Sequence, residues 1–171
     1  GDKFRGQPNI IYRMRVVDAE LLLQQGDKAG ANAKWREAVD IALTISRADN
    51  RGDAFEYLAR LKAGKGDQAS ALLLLEEALI DYDRVLADQR QSGNIMGQAM
   101  RGFGKLAADF ARLGQFERAQ EVAESLLNVP GAFLQRSQAR ALADQLEIRV
   151  LLSEADAETW PLTSQKLASY P

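Results

Sequence analysis

QQGDKAGA (residues 24–31), GKGDQASA (64–71) and LGQFERAQ (113–120) share one layout, a glycine followed five residues later by an alanine. Each lies between two helix-like stretches. Glycine adopts the left-handed conformation that ends a helix without a Cβ clash, so each stretch predicts helix, tight turn, helix. Gly26, Gly66 and Gly114 stand 40 and 48 residues apart. Such periods in a helical chain predict stacked hairpins, because one hairpin cannot bury its apolar face alone.

The sequence between the turns supports the same reading. Proline occurs only at 8, 130, 161 and 171, and the stretch from Asn9 to Leu127 is rich in Ala, Leu, Glu, Gln and Arg. These residues favour helix, and runs of β-branched residues are almost missing. The pattern predicts about seven helices, over residues 10–25, 28–47, 53–63, 67–91, 95–113, 116–128 and 132–152. Polar or glycine-containing breaks fall at 48–52, 92–94 and 129–131. The expected organisation is a single domain over 1–171, with units at 10–47, 53–91 and 95–128 and a capping segment at 132–170.

Composition removes several function classes. With 46% apolar residues the chain has enough material for a core. Lys and Arg total 22 against 24 Asp and Glu, so a balance of −2 gives no cationic excess for nonspecific nucleic-acid binding. No polybasic patch suggests a membrane surface, and no apolar run approaches the roughly 20 residues of a membrane span. Cysteine and histidine are both absent. That excludes disulfides and thiolate metal sites, and it removes the commonest general base. The expectation is a protein that is not an enzyme, with no cofactor and no metal. The opening Gly1-Asp2-Lys3 reads as a trimmed N-terminus, left by a tag or by a removed leader or anchor. Cytoplasm and periplasm both stay open.

Aligning the three turns superposes Ala19, Ala59 and Ala107, then Ala31, Ala71 and Ala119, then Ala38, Ala78 and Leu126. Small residues at such places let two helices approach closely. With Phe103, Leu106, Phe110, Gly114 and Phe116 as the large positions and turn of the third unit, the pattern resembles the tetratricopeptide (TPR) family in an extended-repeat form. Trp35 and Leu75 fill the bulky place before the last alanine, and Pro130 lies near the repeat's terminal proline. Arg15, Asp18 and Lys62 depart from the pattern at places that should be apolar, and the repeats exceed the family's usual length. The resemblance implies an all-α, right-handed superhelix of stacked antiparallel hairpins, a TPR-like α-solenoid.

Motifs that suggest chemistry have plainer readings. Gly102-Phe103-Gly104 follows no strand and lies inside a helical pattern, so close helix packing explains it better than a phosphate loop. Gly64-Lys65-Gly66 lacks the spacing of a nucleotide-binding loop and reads as an inter-helix turn. Glu76, Glu77, Asp81, Asp83 and Asp88 read as a solvated acidic helix face rather than acid–base machinery. Trp35 is expected in the core. Trp160 is expected over the last hydrophobic face.

The resemblance places a binding surface on the concave face lined by the first helices. Its groove positions correspond here to Arg13, Val16, Glu20, Leu23 and Gln24 in unit one and to Asp53, Glu56 and Arg60 in unit two. Unit three contributes Arg101, Ala108 and Arg112, and Arg136 and Arg140 extend the face. Some TPR domains hold a terminal carboxylate in a Lys/Asn clamp. Glu20, Arg60 and Ala108 stand where asparagine is expected, so that clamp is absent. The implied function is a non-catalytic scaffold that binds a protein or peptide, with arginines recognising an acidic or extended segment. The alternatives are a structural self-association module forming homo-oligomers and a ligand-sensing domain of a larger bacterial regulator.

Overall fold

The computed structural model describes residues 7–92 and 97–125. The described residues form six helices: α1 (Pro8–Gln24), α2 (Lys28–Leu43), α3 (Ala48–Gly64), α4 (Gln68–Ser92), α5 (Gly97–Arg112) and α6 (Phe116–Glu124). No strand occurs among the described residues. The seventh helix expected at 132–152 and the cap with Trp160 lie outside them.

The three glycine turns share one geometry. Gly26, Gly66 and Gly114 have φ of 85°, 79° and 74°. In the first turn the Gly26 N–H donates to the Leu23 carbonyl and the Asp27 N–H to that of Leu22. Gly66 and Asp67 repeat this on Ala63 and Lys62, and Gly114 and Gln115 repeat it on Ala111 and Phe110. This paired bonding satisfies carbonyls that a helix end leaves open. The next residue then starts the partner helix. The Asp27 carboxylate accepts from the Gly30 N–H at 2.8 Å, and Asp67 accepts from Ser70 at 3.2 Å.

The hairpins are α1/α2, α3/α4 and α5/α6, and α3 touches both α1 and α5. All eight aligned alanines are buried, none more than 3% exposed. Phe55, Phe103 and Phe110 fill the space between helices. Trp35 is buried as expected. The apolar places held by charged residues are bridged at the surface. Arg15 pairs with Asp18 at 2.9 Å and Glu37 at 3.1 Å, while the Lys62 ammonium lies 4.5 Å from the Trp35 ring centre.

Two expectations are corrected. Residues 48–52 do not break the chain, because α3 begins at Ala48 and the break falls at 44–47. Arg51 explains the shift. From the first turn of α3 its guanidinium reaches Asp81 at 2.9 Å and the Ile45 carbonyl at 2.9 Å, fastening α3 to α4 and to the connector. Asp81 is therefore not part of a solvated acidic face. It is 3% exposed and pairs with the partly buried Arg51 guanidinium.

Gly52 and Gly102 admit the ring of Tyr82 from α4. A Cβ on Gly52 would meet that ring at 3.2 Å, and one on Gly102 would collide with it outright. Tyr82 thus occupies the space between α3 and α5, and its hydroxyl donates to Asp53. Burial, then the Asp53 carboxylate, pushes the phenol well above its ordinary range. The glycine at 102 serves helix packing, as its sequence context implies.

Candidate functional site

On α3 the residues Asp53, Glu56, Tyr57 and Arg60 follow the spacing that aligns one helix face. Each meets a neighbouring helix or its own next turn. Asp53 takes the Tyr82 hydroxyl. The Tyr57 ring packs edge-on to Tyr12 of α1, with centroids 6.1 Å apart, and the Arg13 guanidinium lies 4.9 Å from the Tyr57 ring centre. Arg13 also donates to the Tyr12 hydroxyl at 3.0 Å. Burial, the largest influence, raises the Tyr12 phenol pKa despite that bond.

The other flank of this face meets α5. Glu56 and Asp109 are 3% and 5% exposed, two acids buried together. Arg60 Nε lies 2.8 Å from Glu56, and Arg112 lies 2.6 Å from Asp109. Burial first, then hydrogen bonding to Asp109 and its charge, pushes the Glu56 carboxyl up to about 8, against the opposing pull of Arg60 and Lys105. Like carboxylates at this depth cannot both ionise cheaply, so Glu56 holds its proton to a higher pH than an exposed carboxyl does. No N–H or hydroxyl of the described residues donates to Asp109 Oδ2, which leaves the Glu56 carboxyl as its polar neighbour.

Arg60 and Arg112 line one cavity of about 260 Å³, together with Ala59, Ala63, Leu75 and Asp109. Their side chains are 54% and 67% exposed. Each guanidinium is anchored on one edge by a buried acid and open on the others. An arginine carries five N–H donors, so most of its capacity remains for an acceptor arriving from outside.

Of the expected site residues, Glu56, Arg60 and Arg112 come together at the α3/α5 junction. Glu56 lies beneath that surface rather than on it. Arg13 sits at the α1/α3 junction, Glu20 pairs with Lys65, and Gln24 and Arg101 are exposed. Val16 is in the core, so it lines no groove. Arg136 and Arg140 lie outside the described residues. Asp109 was missed in favour of its neighbour Ala108. The available signal was an acid bordering the apolar arc of Leu106, Ala107 and Phe110 on a helix. Arg118, bound to Glu76 at 2.7 and 2.9 Å across α4 and α6, was also unforeseen.

Among the described residues no cluster of three or more Asp or Glu side chains is arranged to hold a metal. No described helix is long and apolar enough to cross a membrane. The chain matches no family model, no curated protein and no solved structure.

Proposed function

We propose that this chain is a non-catalytic, TPR-like scaffold. Its hairpins continue into a right-handed superhelix and hold a protein or peptide along the face of the first helices. The observation that carries the reading is the pair Arg60 and Arg112, on successive first helices, each steadied by a buried carboxylate and both facing one cavity. A guanidinium held in place loses little rotamer freedom on binding, so acidic groups of an extended segment gain more from it. The contacts of α3 with both α1 and α5 support a continuous surface.

The test is to pan a random peptide library against the immobilised protein, then measure the enriched peptides by calorimetry. Acidic peptides are expected, weakened about tenfold or more by Arg60→Ala or Arg112→Ala with unfolding temperature unchanged. Enrichment of peptides indifferent to both substitutions would remove the assignment.

A second reading has its own observation. Ile10, Met14, Val17 and Leu21 of α1 are 42–57% exposed and follow a 4-3-4 spacing. Such a stripe suits helix–helix pairing and supports self-association. A concentration-independent monomer in sedimentation equilibrium would eliminate it.

A further inference from the structure

The second helices carry a different surface. Between α2 and α4 lies an open groove of about 770 Å³, floored by Phe55 and Lys62 of α3. Trp35, Val39 and Leu43 form one wall, and Leu73 and Leu74 form the other. Leu43 is 52% exposed and Leu73 is 71% exposed. Neither leucine supports the core, so both leave apolar area against water.

Charge at the groove is uneven. Asp40, Asp67, Glu76 and Glu77 line it against Arg36 and Lys62. Lys62 is engaged by the Trp35 ring and by Asp67 at 3.5 Å, and Glu76 is held by Arg118. Asp40 on α2 and Glu77 on α4 have no ion-pair partner among the described residues, so each wall offers one free carboxylate; Arg36 is the one unengaged cation of the lining.

We propose that this groove docks an amphipathic helix of a partner protein, with leucine-type residues on its buried face and Lys or Arg on both flanks. The apolar face would cover Val39, Leu43, Leu73 and Leu74, while the flanking cations would reach Asp40 and Glu77. An α-helix is about 10 Å wide with its side chains, and one to two turns suit a groove of this volume. The chain's own α1 stripe is a poorer occupant. Asp18 and Glu20 offset Arg13 and Arg15 beside it, so a second copy brings no net positive charge.

Two synthetic 16-residue helical peptides with the same leucine face test this, one flanked by lysine and one by glutamate. Fluorescence anisotropy against the full chain should show saturable binding of the lysine peptide and at least tenfold weaker binding of the glutamate peptide. Leu73→Lys should reduce the lysine peptide's affinity tenfold or more, and Asp40→Lys with Glu77→Lys should reverse the preference. Leu73 is exposed enough that its replacement leaves folding intact, which circular dichroism checks. Equal binding of both peptides, or affinity untouched by Leu73→Lys, overturns the proposal. So does sedimentation showing a dimer that Leu73→Lys dissolves, which would make a second copy the occupant.

Discussion

The three turns and the junctions between hairpins are built on opposite principles. At the turns, Gly26, Gly66 and Gly114 impose the same conformation with bonds reaching at most five residues back. At the junctions, contacts join residues far apart in sequence and differ each time. Arg13 stacks on Tyr57 between α1 and α3, whereas α3 and α5 share Tyr82 and the carboxyl pair Glu56 and Asp109. Local chemistry sets where the chain reverses. Long-range polar pairing sets how the hairpins meet, and that is also where the arginines of the proposed binding face are held.

The largest effect is expected where long-range polar pairing acts inside a hairpin, at Arg51 of α3 and Asp81 of α4. Asp81→Ala leaves the partly buried Arg51 guanidinium without its partner, and the loss should fall below the ~3–5 kcal/mol of a fully buried pair, at about 2 kcal/mol or more. Urea denaturation should show it. A loss below about 1 kcal/mol would mean that Arg51 does not set the start of α3.

The acid pair gives the next effect and a pH signature. The folded chain holds on Glu56 a proton that the unfolded chain releases near 4.5. Between about 4.5 and about 8 the folded state therefore binds more protons, so this contribution is complete at the acid end and is lost as pH rises. Glu56→Gln, which keeps a donor toward Asp109 without the ionisation, should flatten that decline, on the order of a few kcal/mol. Thermal melts across this range in both proteins would reveal it, and parallel curves would contradict a proton held on Glu56.

Gly102→Ala drives a methyl into the Tyr82 ring and should destabilise by about 1–3 kcal/mol. Pairing it with Tyr82→Leu should recover part of that loss. Gly66→Ala meets no neighbouring atom, since nothing lies within 4 Å of its Cβ position. Its cost is conformational alone, about 1–2 kcal/mol for a non-glycine residue held in the left-handed region. A turn variant should therefore lower stability while leaving the Glu56 pH profile as it was.

This division explains what the sequence made legible. The glycines, the alanines and the helix type follow short-range rules, so the three hairpins could be read directly. The start of α3 could not, because Asp49, Asn50 and Gly52 favour a turn until Asp81, 30 residues from Arg51, draws Arg51 into helix. Glu56 and Arg60 were identifiable as residues of the first-helix face. The burial of Glu56 was not, since it depends on Asp109, which only the packing of α5 against α3 supplies. The sequence places Arg13 on the groove face, but its stacking on Tyr57 follows only from the same tertiary information.

The most direct test of the proposed binding face is charge reversal at its two exposed cations. Arg60→Glu with Arg112→Glu, folded as judged by circular dichroism, should be panned against the same peptide library as the parent. The account predicts that selection switches from acidic to basic peptides. Recovery of the same peptides with unchanged affinity would contradict it.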